Sequence, residues 1–171
     1  MKEIFREDEM GEVAEMLYQK ILHTKKTKEK AKEENTEKTH ENNTATIVAL
    51  SGDLGSGKTT LTKYLAKILG IKENIISPTF VLLKNYNLEN NREVLDGNMR
   101  EIPFRNFTHI DAYRFEKSSE LLNLDWQNLI SNSENLIILE WPEMVQDILP
   151  IDILKVSLEH IDEKNRKIIL S

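Results

Sequence analysis

The sequence predicts an α/β fold in which a mainly parallel central sheet lies between two layers of helices, formed as one domain by residues 1–171. Segments typical of strands and helices alternate through the middle of the chain, as they do when helices connect parallel strands. Residues 136–139 are continuously apolar, and such a strand has to be covered on both faces, as at the centre of a parallel sheet. Residues 153–161 and 166–170 flank a polar turn, which predicts a C-terminal antiparallel hairpin.

The N-terminal third predicts a short edge strand at residues 3–6, followed by a helix. From Asp8 onwards apolar side chains recur at helical spacing, and acidic residues near the start favour a helix N-terminus. We expect this helix to end near His23. Residues 24–44 then lose all large apolar side chains and mix six lysines with five glutamates, which predicts a charged, solvated linker or insertion, or a helical extension that frays. A basic RNA-binding arm is disfavoured because glutamate alternates with lysine.

The central motif lies between a predicted strand at residues 46–50 and a predicted helix at residues 59–69, with Gly70 placed as the glycine that ends a helix. Residues 52–60 read G-D-L-G-S-G-K-T-T and fit the phosphate-binding pattern G-x-x-x-x-G-K-S/T. Three of the chain's six glycines lie within six residues here, so the backbone can turn tightly and point several N–H groups into one concavity. The expected architecture is therefore a three-layer, P-loop NTPase-like sandwich.

The residues of this loop have separate expected roles. We predict that Lys58 reaches the β- and γ-phosphates of a nucleotide, and that the Thr59 hydroxyl binds a magnesium ion bridging the same oxygens. The predicted nucleotide-binding set of this loop and its helix is Asp53, Leu54, Gly55, Ser56, Gly57, Lys58, Thr59 and Thr60.

The segments that follow complete the predicted sheet. Pro78 restricts the residue before it, so the next strand is expected to be entered through a loop or bulge. Residues 87–106 are polar and predict a long surface insertion with a weak hairpin around Asp96 and Gly97. Residues 107–111 predict a buried strand, and residues 118–130 a helix in one piece or two.

Two of the predicted strands end in acids, Asp111 and Glu140. Ligands of open α/β sheets lie beyond the carboxyl ends of the strands, and a hard cation such as magnesium prefers oxygen ligands. We expect one acid to hold magnesium, and the other to hold it too or to orient the attacking water. His109 and Trp141, which lie beside these acids, could face the site, but packed core positions are favoured for both. Arg114 could contact phosphate, a partner protein or a nearby acid, and the sequence leaves these alternatives open.

Composition limits the possible classes of protein. Lys+Arg number 23 and Asp+Glu 29, the net charge is -6, and cysteine is absent. An acidic surface as a whole does not attract nucleic acid, and a chain without cysteine forms neither a disulfide nor a thiolate metal site. No segment resembles a signal peptide or membrane span, so a cytoplasmic protein without a membrane partner is expected.

Four motifs follow one another along the chain: G-D-L-G-S-G-K-T-T at residues 52–60, S-P-T-F at 77–80, H-I-D-A-Y-R at 109–114 and E-W-P-E at 140–143. In this order they make the chain similar to the bacterial TsaE (YjeE) family. The resemblance implies a P-loop ATPase that works with the TsaB and TsaD proteins to make threonylcarbamoyladenosine on tRNA, which it meets through that complex. It further implies that Lys58 and the loop backbone bind ATP, that Thr59 and Glu140 bind Mg²⁺, that Asp111 is a Walker B-like acid, and that Thr79 is a switch-like threonine.

The chain departs from that family pattern at several positions. Tyr64 stands where a glycine is usual, and Glu12 stands about where a threonine near the nucleotide is expected. Residues 24–44 and 87–106 are longer than usual. Arg166 loosely matches a position near the base.

Two other functions remain open from the sequence. Residues 111–114 also suit the base and phosphate clamp of a small-molecule kinase, which an acceptor-dependent transfer assay would reveal. A nucleotide-gated binding module would need ATP to bind its partner but would not need hydrolysis. A GTPase is disfavoured because no N/T-K-x-D guanine-binding motif occurs.

Overall fold

The structure is a computed structural model that describes residues 3–34, 44–78, 81–88, 94–95, 98–99 and 102–171. The helices are α1 (Met10–Glu34), α2 (Lys58–Ile68), α3 (Ser118–Leu122) and α4 (Trp126–Ile130). The strands are β1 (Ile4–Arg6), β2 (Thr46–Ser51), β3 (Leu83–Asn87), β4 (Val94–Leu95), β5 (Asn98–Met99), β6 (Asn106–Asp111), β7 (Asn135–Glu140), β8 (Leu154–His160) and β9 (Asn165–Leu170). Short 3-10 segments lie at Glu7–Glu9 and Pro142–Ile148.

Seven of these strands form one mixed sheet in the order β1-β9-β8-β2-β7-β6-β3. The four central strands β8, β2, β7 and β6 are parallel, while the outer pairs β1–β9, β8–β9 and β3–β6 are antiparallel. The α/β class and the C-terminal hairpin are confirmed, and β7 is a central parallel strand as its apolar run predicts. Because the outer strands pair antiparallel, the sheet as a whole contains both parallel and antiparallel pairs.

The two faces of the sheet belong to two apolar clusters because successive strand residues point to opposite sides. On β2, Val48 and Leu50 pack with α1 and α2, whereas Ile47 packs with α3 and α4. The same alternation on β7 puts Leu136 and Ile138 on the α1–α2 face. Glu140, two residues beyond Ile138, therefore projects towards α2.

The first helix is longer than expected, since α1 continues past His23 to Glu34. The extension has no large apolar side chains, and two of its lysines instead bind backbone carbonyls of other segments. Lys25 Nζ donates to the Ser133 carbonyl at 2.5 Å, and Lys28 Nζ donates to the Ala45 carbonyl at 3.1 Å. Lys28 also pairs with Asp152 at 3.0 Å. The helical extension, rather than the linker, is thus correct up to Glu34, and residues 35–43 lie outside the described ranges.

The predicted end of α2 and the predicted helical region at residues 118–130 are both confirmed. Gly70 adopts a φ of 74°, and the Gly70 and Ile71 N–H groups donate to the carbonyls of Lys67 and Ala66 at 3.0 Å each, which is the hydrogen-bond pattern of a Schellman helix end. The helical region 118–130 is divided in two at Asp125, whose φ is 61°.

Strands β4 and β5 pair antiparallel, as the expected weak hairpin requires, although its turn residues Asp96 and Gly97 are outside the described part. Within the described ranges, no helix combines the length and apolarity needed to cross a bilayer.

Candidate functional site

The predicted loop and both predicted acids meet at one edge of the sheet. Leu50 of β2 pairs in register with Glu140 of β7, and Glu140 pairs with Asp111 of β6. Because these three strands are parallel, their carboxyl ends lie side by side, and the loop that follows β2 arches over them into the N-terminus of α2. Together they border a cleft of about 340 Å³.

The glycines shape this loop in different ways. Gly52 has a φ of 138°, and a Cβ there would lie 2.1 Å from the Leu158 carbonyl oxygen on β8. A side chain at Gly52 is therefore excluded by a neighbouring strand. Gly55 has a φ of 78°, and a Cβ there would meet nothing within 4 Å. Since Gly55 lines the cleft, its open face leaves backbone exposed to a ligand, as a phosphate-binding loop needs.

Lys58 is the buried cation of the cleft. Its Nζ donates to the carbonyls of Gly52 at 2.5 Å and Asp53 at 2.9 Å, and lies 4.0 Å from the centroid of the Trp141 ring. Burial lowers the pKa of Lys58, and nearby carboxylates partly offset this; the carboxylates are Glu140, Glu143, Asp111 and Asp53. Four acids around one ammonium make the local charge negative, so a polyphosphate here calls for an added cation.

Thr59 and Glu140 form the second polar pair. The Thr59 Oγ1 lies 3.0 Å from each oxygen of the Glu140 carboxylate, across the gap between α2 and β7. Glu140 Oε1 is also 2.8 Å from Nε2 of His109. Both Glu140 and His109 are buried. His109 is thus packed, as predicted, and it also contacts a residue of the site.

Asp111 is held differently from Glu140. Its Oδ2 accepts a hydrogen bond from the Ser77 hydroxyl at 2.6 Å, and its Oδ1 accepts from the Tyr113 N–H at 3.0 Å. The acid therefore ties the segment that precedes Pro78 to the end of β6. Glu140, rather than Asp111, directly contacts the Thr59 hydroxyl.

Two aromatic residues line the cleft, and one of them corrects the sequence interpretation. Trp141 was expected in the core, but it is only half-buried, lies beneath the Lys58 ammonium and borders the cleft. Its φ of 60° turns the chain directly after Glu140. The Tyr113 ring lies 4.9 Å from the Trp141 ring. Each aromatic follows a strand-end acid by one or two residues, which is the signal that could have placed both at the site.

Most of the predicted site residues come together. The cleft is bordered by Leu54, Gly55, Gly57, Lys58, Thr59, Thr60, Asp111 and Glu140, together with Ser77, Tyr113 and Trp141. Asp53 contributes its carbonyl to Lys58, and Ser56 of the loop is buried, with no hydrogen-bond partner for its hydroxyl among the described residues. Thr79 lies outside the described residues. Arg114 and Glu12 are exposed.

The donor set fits a hard divalent cation in the manner of nucleotide sites. Among the described residues, no group of three His, Cys, Asp or Glu side chains could hold an ion by itself. Magnesium is usually held by one or two carboxylates together with waters and substrate phosphates. The hydroxyl of Thr59, which touches both oxygens of Glu140, supplies the oxygen chemistry that such an ion requires.

Comparison with known proteins gives one consistent family. Residues 14–168 match the family model described as threonylcarbamoyl adenosine biosynthesis protein TsaE. Proteins named tRNA threonylcarbamoyladenosine biosynthesis protein TsaE are 36% identical over 70% of this chain in Rickettsia felis, and 34% identical over 71% in Bacillus subtilis. The match spans 61% of the Rickettsia felis protein and 66% of the Bacillus subtilis one, which is less than two thirds of either.

A solved structure has the same fold. The crystal structure of Bacillus subtilis YdiB superposes with a TM-score of 0.57 at 23% identity, covering 98% of this chain and 82% of that one.

Proposed function

The chain belongs to the TsaE family, and we propose that it is a magnesium-dependent P-loop ATPase that serves the synthesis of threonylcarbamoyladenosine in tRNA. One observation carries the proposal: Lys58 and Thr59, the first two residues of α2, converge with the strand-end Glu140 on one cleft, with Thr59 Oγ1 3.0 Å from Glu140. Two apolar clusters on the two faces of the sheet support the three-layer P-loop arrangement. The printed names of the relatives support the tRNA pathway.

The binding step relies on the loop backbone and one ammonium. N–H groups at the N-terminus of α2 and in the loop before it would donate to the phosphates, aided by the positive end of the helix dipole. Lys58 would exchange the carbonyls of Gly52 and Asp53 for phosphate oxygens, which are stronger partners because they are charged. The Gly55 backbone, open to the cleft, would allow the close approach.

The acids divide the remaining work. Thr59 and Glu140 would hold Mg²⁺, which supplies charge neutralisation at the β- and γ-phosphate oxygens. Asp111 neighbours Glu140 in register, so it is proposed to act on the ion through water or to orient the attacking water. Asp111 also accepts from Ser77, which supports a link between the acids and the segment after α2. Thr79 is proposed as a contact to the γ-phosphate because of its place in the family motif.

Turnover by this chain alone is proposed to be slow. No arginine is among the described residues that border the cleft, and an arginine supplied to the transition state is worth several powers of ten in phosphoryl transfer. TsaB and TsaD homologues are the proposed partners, and tRNA is reached through them.

The test is ATP turnover by the purified chain. Lys58→Ala and Glu140→Ala are expected to abolish Mg²⁺-dependent release of phosphate while circular dichroism and the unfolding midpoint show a folded protein. Lys63→Ala, which removes an exposed lysine from the same helix, is the matched control and should keep wild-type turnover. Turnover retained by either of the first two variants would refute the proposed site.

The proposed pathway has its own test. Tagged protein would be used to recover TsaB and TsaD homologues from cell extract with ATP, without nucleotide and with a non-hydrolysable ATP analogue. Recovery that requires nucleotide supports the assembly. Recovery with the analogue equal to that with ATP, combined with no turnover in any mixture, would favour a binding module over an ATPase.

A further inference from the structure

We propose that His109 is the positioning residue of this site: its Nε2–H holds the Glu140 carboxylate in the orientation that serves Thr59 and the divalent cation. The inference rests on the proposed function and assigns a role to a histidine that is otherwise a core residue. The observation behind it is the 2.8 Å contact between His109 Nε2 and Glu140 Oε1. This contact joins a histidine side chain that is wholly excluded from solvent to the glutamate that borders the cleft.

The strand geometry directs both side chains to the same face. Asp111 and Glu140 are paired in register, and His109 is paired with Ile138. Since side chains alternate along each strand, His109 and Asp111 share a face, and Ile138 and Glu140 share the same one. His109 thus lies diagonally from Glu140, one same-face position further from the carboxyl ends of the strands, and it is not among the described residues that border the cleft.

The hydrogen-bond chemistry gives His109 a role that Thr59 cannot fill. An ionised carboxylate only accepts, so the His109 nitrogen that faces it carries the proton. The Thr59 hydroxyl has one proton and is 3.0 Å from both carboxylate oxygens, so it donates to one oxygen at a time. Thr59 and Glu140 would both be ligands of the cation, so the Thr59 hydroxyl could not fix the carboxylate independently of the ion. The His109 contact would hold Oε1 from a residue that does not itself bind the cation.

The other ring nitrogen supports this reading over simple packing. Nδ1 of His109 is buried and has no hydrogen-bond partner among the described residues. Buried polar groups are normally satisfied, so within the described part of the chain the contact to Glu140 is the polar contact that explains a histidine in this buried strand. A leucine of similar size would pack there without leaving an unpartnered nitrogen.

The experiment compares variants by the Mg²⁺ concentration that half-saturates binding of a fluorescent ATP analogue. His109→Leu removes the donor and is expected to raise that concentration about 10- to 100-fold, the usual effect of losing a partner that orients a metal ligand. His109→Gln puts an amide N–H near the position of Nε2 and should recover most of the loss. Binding measured in EDTA should be the same in all variants, because the loop and Lys58 are untouched.

Thr108→Val is the matched control. Thr108 is the adjacent buried residue of β6, and its hydroxyl donates to Asn85 at 2.7 Å, on the side of the strand away from Glu140. The variant should lower stability without changing the Mg²⁺ dependence. If His109→Leu does not fold, His109→Asn takes its place, because its shorter amide falls short of Glu140 whereas that of His109→Gln reaches it.

The outcomes separate the inference from the function on which it rests. A wild-type protein that shows no Mg²⁺-dependent nucleotide binding contradicts the proposed function. A wild-type dependence that is unchanged in His109→Leu, or changed equally in Thr108→Val, overturns the role of His109 alone. The role of His109 is also overturned if the half-saturating Mg²⁺ concentration of His109→Gln is no closer to the wild-type value than that of His109→Asn.

Discussion

Alanine substitutions at Gly52 and Gly55 should separate the two tasks of the loop, because one glycine is enclosed and the other is open. At Gly52, a conformation with φ of 138° costs a residue with a side chain about 1–3 kcal/mol. The Cβ placed 2.1 Å from the Leu158 carbonyl oxygen adds an overpacking cost of about 1–3 kcal/mol. The expected loss in the free energy of unfolding for Gly52→Ala is therefore about 4 kcal/mol.

Gly55→Ala carries the conformational cost without the clash. Its φ of 78° leaves a new Cβ with no heavy atom within 4 Å, so the expected loss is about 1–2 kcal/mol. The methyl group instead enters the cleft where the backbone is proposed to meet phosphate. Nucleotide affinity should consequently fall by about tenfold or more, which corresponds to about 1.4 kcal/mol of binding energy.

Urea unfolding and nucleotide titration together make the assay. With a slope of about 2 kcal/mol per molar urea, Gly52→Ala should lower the midpoint by about 2 M and Gly55→Ala by less than about 1 M. Soluble yield and the thermal midpoint serve the same comparison if Gly52→Ala is too unstable to titrate. Equal losses of stability in the two variants, or wild-type affinity in Gly55→Ala, would refute the assignment of one glycine to packing and the other to the ligand.

Three further outcomes are expected. Burial lowers the pKa of Lys58, and bound phosphate should raise that pKa again. ATP binding should therefore take up protons, and the affinity for ATP should weaken as pH rises through the lowered pKa. Calorimetry in two buffers measures the proton uptake, and Lys58→Ala should lack this pH dependence. Hydrogen bonds from Asn165 and the Lys164 N–H lower the pKa of Asp162, so its contribution to stability is present above the unfolded pKa and lost as acid takes the pH down through the folded pKa. Asp162→Asn should therefore show a smaller drop in thermal midpoint on acidification than the wild-type protein, and an equal drop would contradict that role. Gly70→Ala, at a φ of 74°, should cost about 1–2 kcal/mol in urea unfolding without altering nucleotide affinity.

The fold followed from the sequence where the signal was local or periodic. The phosphate-binding pattern at residues 52–60, the apolar run of β7 and the glycine after α2 each depend on a few consecutive residues, whose conformational preferences act over short distances. The two strand-end acids were predictable for the same reason, because strands and their ends can be read from alternation and adjacent parallel strands end at one edge.

Other features depended on contacts between distant segments. The extension of α1 is anchored by Lys25 and Lys28 on carbonyls of residues 133 and 45, and nothing near the lysines in sequence indicates those partners. Trp141 was assigned to the core because large aromatic side chains usually pack there, but the turn after Glu140 brings it under Lys58.

By itself, the sequence determined that an α/β chain would place a glycine-rich loop, which fits a phosphate-binding pattern, beside two acids, because those motifs consist of residues that are neighbours along the backbone. Only the tertiary structure decided how the acids differ. The register of β6 and β7 and the placement of α2 bring Glu140 to Thr59 and His109, whereas Asp111 accepts from Ser77. The physical reason is that a side-chain hydrogen bond acts over about 3 Å, a distance that chain order cannot specify for residues brought together only by folding.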